Sequence, residues 1–296
     1  MVFTDSRRTD TVMVSYLLVT ALLVVVFHQK VPQWLTLVGI HLVAAVLIGA
    51  LRFIPARAPV LIRFLRDWYP VIAFPLLYKE VELLAAAFGN WGLTEPIRSL
   101  EVFLFAGHPS NYLCGHLEWA PLSEYLHLCY FAHVLLLPAL GGYWYHTRRE
   151  TFYELIFLVS VVVATSYLFF ILFPVDSPFY LADPLPESLR GHFFYNLVHY
   201  VADRGGARGG AFPSTHVSVS TTIWLVAWYR ERRIAYWLLA LVPGLIFATV
   251  YGRFHYVLDV ITGFAHAGIV FILGARCEKT KSSWKTEEPS LASPKP

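Results

Sequence analysis

Phe152–Phe173 reads FYELIFLVSVVVATSYLFFILF, and a single formal charge, Glu154, interrupts it. As a helix it would be about 33 Å long, the thickness of a bilayer's hydrocarbon core. The same character recurs on either side, at Val12–Phe27, Leu35–Phe53, Pro121–Tyr143, Ser214–Trp228, Tyr236–Tyr251 and Val257–Ala275. Hydrophobic residues make up 57% of the 296 residues, aromatics 16% and charged residues 15%. A water-soluble fold of that length could not bury so much apolar surface, and disordered chains have the opposite composition. The expectation is an all-α integral membrane protein, a polytopic helix bundle surrounded by membrane lipids.

An eighth segment, Tyr69–Phe88, holds Pro70, Pro75, Lys79, Glu80 and Glu82. Read as crossing, it gives eight spans with both termini inside. Arg7 and Arg8 precede the first apolar run, and no small-residue cleavage site follows it, so it reads as a retained anchor. Residues 1–54 then form an N-terminal transmembrane hairpin, 55–276 a membrane core, and 277–296 a disordered cytoplasmic tail. The net charge of +3 is too small to suggest a nucleic-acid partner. Cys114, Cys129 and Cys277 form no Cys-x-x-Cys and imply neither a disulfide framework nor a zinc site.

Basic residues assign the sides. Arg148, Arg149, Arg230, Arg232, Arg233, Arg276, Lys279, Lys281, Lys285 and Lys295 fall in short stretches on one side. The other side has longer connections, 89–120 and 174–213, and fewer cations: Arg98, Arg190, Arg204, Arg208 and Arg253. The first side, with the C-terminus, is expected to be cytoplasmic, so the long connections face outward, where function concentrates.

Two stretches enter the membrane from that outer side. Gly209-Gly210-Ala211-Phe212-Pro213-Ser214-Thr215-His216 leads into an apolar run, with Ser and Pro suited to a helix start. Free N–H groups and the helix dipole there favour an anion, and Arg204 and Arg208 lie just upstream. In Tyr251–Gly263, His255 and Asp259 are four apart, so on a helix the carboxylate reaches the imidazole, fixing its tautomer and leaving the other nitrogen nucleophilic. A Gly-rich stretch also serves as a plain connector, and His and Asp also serve as caps, but an Asp inside an apolar segment is costly to hold. If the chain descends through Ser214–Trp228 and returns through Tyr236–Tyr251, His216 and His255 meet at one face. Two imidazoles, a carboxylate and an anion-binding terminus make a phosphoryl-transfer set.

These stretches resemble the second and third signature motifs of the type 2 phosphatidic acid phosphatase superfamily, Pro-Ser-Gly-His or similar and His-x-x-x-Asp. The wording Ala211-Phe212-Pro213-Ser214-x-His216 and His255-Tyr256-Val257-Leu258-Asp259 is closer to the branch containing inositol phosphorylceramide synthases and related bacterial enzymes. The resemblance covers roughly residues 70–275 and implies a six-helix phosphatase-type core with Val12–Phe53 as an added hairpin. It also implies His255 as the nucleophile that forms a phosphohistidine, Asp259 as its orienter and His216 as the acid. Ser214, with Thr215 and Gly210, would hold phosphate, and no metal or other cofactor is called for. The chain departs from the family in its cations. Phe173-Pro174-Val175-Asp176-Ser177-Pro178-Phe179 stands where Lys-x6-Arg-Pro is expected, and the third motif's Arg falls on Thr249. Arg253 is the first replacement expected, with Arg208, Arg204 and Arg98 behind it; loss of these cations is also a feature of the phosphorylceramide-synthase branch.

Pro121–Tyr143 opens with Glu124, His127, Tyr130 and His133, expected to face the site and, with Asp176, to shape a headgroup pocket. His266 reads as a packed, hydrogen-bonded histidine, and His108-Pro109-Ser110 as part of a lid. The expected function is a membrane-embedded lipid phosphate phosphatase working at the outer face on a lipid phosphate or phosphodiester. The alternative is a lipid headgroup phosphotransferase. A reading of another class is a lipid or ion transporter with a His/Asp relay, which would place ionisable groups near the bilayer midplane.

Overall fold

The computed structural model describes residues 3–55, 57–88, 92–181, 189 and 193–286. In chain order the helices are α1 (Phe3–Val26), α2 (Trp34–Leu51), α3 (Val60–Phe88), α4 (Thr94–Phe105), α5 (Pro109–His116), α6 (Ala120–Thr147) and α7 (Arg149–Leu172). They continue with α8 (Pro178–Leu181), α9 (Phe193–Gly205), α10 (Thr215–Arg230), α11 (Arg232–Leu238), α12 (Val242–Tyr251) and α13 (Val257–Thr286). Among the described residues no β-strand forms; Val175 and Gly210 make one isolated bridge. Of the tail expected at 277–296, residues 277–286 continue α13 as helix, and residues 287–296 lie outside the described residues.

Six segments among the described residues are long and apolar enough to cross a membrane: Arg8–Val26, Trp34–Leu51, Ala120–Thr147, Arg149–Leu172, Arg232–Tyr251 and Val257–Gly274. The chain is an integral multi-pass membrane protein. The seventh run read from the sequence, Ser214–Trp228, becomes α10, whose 16 residues span only about 24 Å. Tyr69–Phe88 is the larger part of α3, a continuous helix of 29 residues despite Pro70 and Pro75 inside it.

The helix whose sequence is apolar on every side forms the axis, as expected for a helix that presents no polar stripe. From Thr151 to Ile171, α7 buries residues all round its circumference, and α1, α3, α6, α10 and α13 pack against it. The opposite extreme is α2, which buries only His41 and Ala45 and leans on α1. His41 Nε2 lies 2.9 Å from Glu80 Oε1 of α3 and ties the hairpin to the core. A polar contact between apolar helices is worth keeping in hydrocarbon, where its groups have no water to turn to.

The bundle has two distinct ends. At the end rich in Arg, Asp67 Oδ2 of α3 accepts hydrogen bonds from Tyr145 (3.3 Å), Tyr153 (3.0 Å) and Arg149 Nη1 (3.2 Å). Arg230 closes α10 onto Glu154 at 2.6 Å. At the other end the long connections are themselves helical. Glu124 accepts the N–H groups of Phe194 (2.8 Å) and Tyr195 (3.0 Å), capping α9, and Glu101 accepts the N–H of Val257 (2.7 Å), capping α13. His108, expected in a lid, begins α5 and stands 3.2 Å from Glu101. His266 is hydrogen-bonded as read, at 2.8 Å from Thr165 Oγ1.

α3 runs from one end to the other, for Tyr78 OH accepts the Ala207 N–H (3.3 Å) and Lys79 donates to Arg204 O (3.1 Å). At the Arg-rich end α3 and α6 meet through Trp68 and Tyr145, ring centroids 5.9 Å apart. Toward the far end they part, and the space between them is a cavity lined by Val71, Phe74, Pro75 and Tyr78 of α3 and by Tyr130, His133, Val134, Leu137 and Pro138 of α6.

Candidate active site

Ser214 sets the site because it starts α10. Its Oγ accepts the Val217 N–H at 3.3 Å, its N–H donates to Asp259 O at 3.1 Å, and it is fully buried. The cap therefore locks the first turn of α10 to the first turn of α13. Gly263 permits this approach: a Cβ there would lie 2.9 Å from Ser214 O and 3.0 Å from Val217 Cβ. Asp259 in turn caps α13, its Oδ2 accepting the Tyr256 N–H at 2.9 Å, and it is also fully buried.

These two helix starts bring together three residues singled out in the sequence. Asp259 Oδ2 lies 3.3 Å from His255 Nδ1, and His255 Nε2 lies 3.2 Å from His216 Nδ1. With Asp259 ionised, His255 donates Nδ1–H to it, so Nε2 carries the lone pair and accepts a proton shared with His216. His216 is held from its other side by α6, where Tyr130 stacks on it at 4.7 Å and the His133 ring lies 4.7 Å away. The chain of contacts ends on the cavity, which His216, His255 and Thr215 line.

The cavity has a volume of about 430 Å³ and two characters. Its deep part is hydrocarbon: Val71, Phe74, Leu137, Val159 and Val163. Its upper part carries the three histidines, the hydroxyl-bearing rings Tyr78, Tyr130, Tyr167 and Tyr180, and the aromatic rings Phe179 and Phe254. No Lys or Arg is among the described residues that line it. Nor is any group of three or more His, Cys, Asp or Glu side chains among the described residues placed to hold a metal ion.

Of the other residues singled out, Thr215 and Gly210 line the cavity, and Ser214 does not. A Cβ at Gly210 would stand 3.4 Å from Tyr78 OH, ordinary contact, but its neighbour Gly209 has φ +81° and a Cβ there would meet Pro174 Cβ at 2.8 Å. That position needs glycine. Asp176 does not line the cavity; its Oδ1 accepts the Gly209 N–H at 2.9 Å and clamps the loop instead. Glu124 and His127 are also elsewhere. Glu124 caps α9, and His127 is buried with Nδ1 on Ser123 O at 2.7 Å, packed on Tyr195 and His199. Both lie nearer the start of α6, where α9 covers it.

The expected cations point away. Arg253 has φ +61°, so the chain reverses there, turning Phe254 and His255 to the cavity while the Arg253 side chain lies by the Cys114 thiol of α5. Burial raises the Cys114 pKa, and Arg253 opposes that rise. Arg208 is exposed, its guanidinium 5.2 Å from the Tyr180 ring; burial pushes the Tyr180 phenol up to about 12, so it stays a neutral donor. Arg204 lies over Tyr200 at 3.8 Å, and Arg98 pairs with Glu95 at 2.8 Å.

Residues that the sequence did not mark for the site include Tyr78, Phe179 and Tyr180. Tyr130 and His133 face the cavity as expected of that stretch, and with Val134, Leu137 and Pro138 they form one stripe of α6. Spacing does not separate them from Glu124 and His127, since His127 is three residues before Tyr130 and seven before Val134; what separates them is height along α6, whose start is covered by α9.

The arrangement is a paired imidazole–carboxylate with a second imidazole beside a largely apolar cavity in a helical membrane bundle. A profile of the PAP2 superfamily matches residues 97–273, more than half of the chain, and the chain belongs to that superfamily. Membership carries a phosphatase-type function on lipid phosphates in general terms. No curated protein and no solved structure matches the chain.

Proposed function

We propose that this protein hydrolyses a lipid phosphate through a phosphohistidine on His255. The observation that carries the reading is the continuous contact Asp259–His255–His216 ending on a cavity whose deep part is hydrocarbon. A substrate with its acyl portion among Val71, Leu137 and Val159 presents its phosphate to the histidines. His255 Nε2 attacks phosphorus, the bond from phosphorus to the lipid oxygen breaks, and His216, protonated, gives that oxygen its proton. Water then attacks the phosphohistidine, gives its proton to His216, and releases phosphate with both imidazoles restored. The His216–His255 contact opens to admit the phosphoryl group. Thr215 and the free N–H groups of the first turn of α10 face its non-bridging oxygens. The site lies at the extracytoplasmic end, by the distribution of Lys and Arg, with the C-terminus cytoplasmic.

A second reading replaces water by an alcohol, making the protein a headgroup phosphotransferase like the inositol phosphorylceramide synthases. The absence of Lys and Arg from the described lining favours it, since a phosphodiester brings one negative charge where a monoester brings up to two. A transporter reading is disfavoured because the three site residues gather at one end of the bundle.

The test uses purified protein in micelles with a radiolabelled lipid phosphate, following free phosphate and new lipid products with and without added alcohols. His255→Ala is expected to remove both outputs and any acid-labile phospho-enzyme, while the unfolding temperature stays close to the parent's. Turnover surviving that substitution defeats the mechanism.

A further inference from the structure

An anionic phosphate in an apolar cavity needs donors aimed at its oxygens, yet the described lining offers no Lys or Arg. One side chain in the cavity is built for that duty. His133 of α6 is anchored through Nδ1 to Ser220 Oγ of α10 at 3.1 Å, and Ser220 is fully buried. The anchor leaves Nε2 for the cavity that the ring lines. The ring is 4.7 Å from the His216 ring, so a phosphate within reach of His216 is within reach of His133.

We propose that His133 is a third imidazole of the phosphoryl site, binding a non-bridging phosphate oxygen through Nε2–H where a basic side chain would otherwise stand. The proposal rests on the phosphoryl-transfer reading of the site. Ser220 is then a positioning residue: its hydroxyl donates to Nδ1, which selects the Nε2–H tautomer. His133 also packs against His216, so a purely structural role is the competing account, and the two accounts rank substitutions in opposite orders. His133→Phe keeps an aromatic ring and loses the donor. His133→Gln loses the ring and sets an amide N–H close to the place of Nε2–H.

The experiment compares the parent with His133→Phe, His133→Gln and Ser220→Ala in the full chain in micelles. It measures kcat/KM on a long-chain alkyl phosphate and the protection against thermal unfolding given by inorganic phosphate. His133→Phe should lose about tenfold to a hundredfold in kcat/KM, the effect of one hydrogen bond to a charged group, and should lose phosphate protection. His133→Gln should keep most of both, and Ser220→Ala should fall between them. A Phe variant equal to the parent, or a Gln variant poorer than the Phe variant, overturns the proposal. If the parent turns over no phosphate ester, the proposed function fails, and phosphate protection still decides His133: lost in the Phe variant it supports the site, retained it refutes it. If the Phe variant unfolds early without ligand, the comparison of Gln with Ser220→Ala decides on the same criteria.

Discussion

Asp259 and Asp67 are both buried carboxylates in apolar helices, at opposite ends of the bundle. Asp67 is surrounded by groups that finish there: two tyrosine hydroxyls and Arg149, whose guanidinium covers the Tyr145 ring at 3.5 Å. Asp259 binds the Tyr256 N–H and one nitrogen of His255, and that ring passes the interaction on to His216 and the cavity. Burial cost alone marks both residues as worth explaining. What separates a fastening from a site is whether the partner has a second functional atom facing open space.

The sharpest way to break this contrast is Asp259→Asn. The amide would offer N–H to His255 Nδ1 and favour the tautomer that carries its proton on Nε2, so kcat should fall by about 10³- to 10⁴-fold with little change in unfolding temperature. Steady-state kinetics beside a thermal melt reads both, and turnover within tenfold of the parent would show that the histidine pair does not need this carboxylate. The mirror experiment is Asp67→Ala. It strands Arg149 and two buried hydroxyls and should cost about 2 kcal/mol of stability, lowering the melting temperature by about 5 °C. Turnover per folded molecule should be unaltered; a fall in kcat without a fall in melting temperature would mean the ends are coupled. The smallest effect is expected at Glu154→Gln, which weakens a half-exposed pair with Arg230. Exposed pairs contribute about 0–1 kcal/mol, and a loss above about 2 kcal/mol in a chemical melt would mark that end as shielded from solvent.

Much of the bundle was legible because the bilayer imposes a length and a polarity that composition cannot hide. The juxtaposition of His216 and His255 followed from counting crossings, even though α10 is shorter than a full span. Rotation about helix axes was not legible. Glu124, His127 and Asp176 are polar residues near helix starts, and such residues cap N–H groups as readily as they bind substrate. Here the first caps α9, the third clamps Gly209, and His127 is packed under α9. Arg253 was the natural cation to nominate beside His255, but it has a positive φ, its neighbours Phe254 and His255 line the cavity, and its own side chain lies against the buried Cys114 thiol instead. Tyr78 and Tyr180 came from segments with no motif, and only packing turns them to the cavity.

The parting of α3 and α6 has a kinetic consequence. Pro75 and Val134, one from each helix, both line the cavity and are both exposed, Val134 by 59%, so an acyl chain lying against that face of the bundle would touch the cavity's own lining. A reactant arriving by that route is counted per neighbouring amphiphile, in two dimensions, and not per litre of buffer. Adding inert detergent at fixed total reactant would then slow the reaction by surface dilution, while changing the sample volume alone would not.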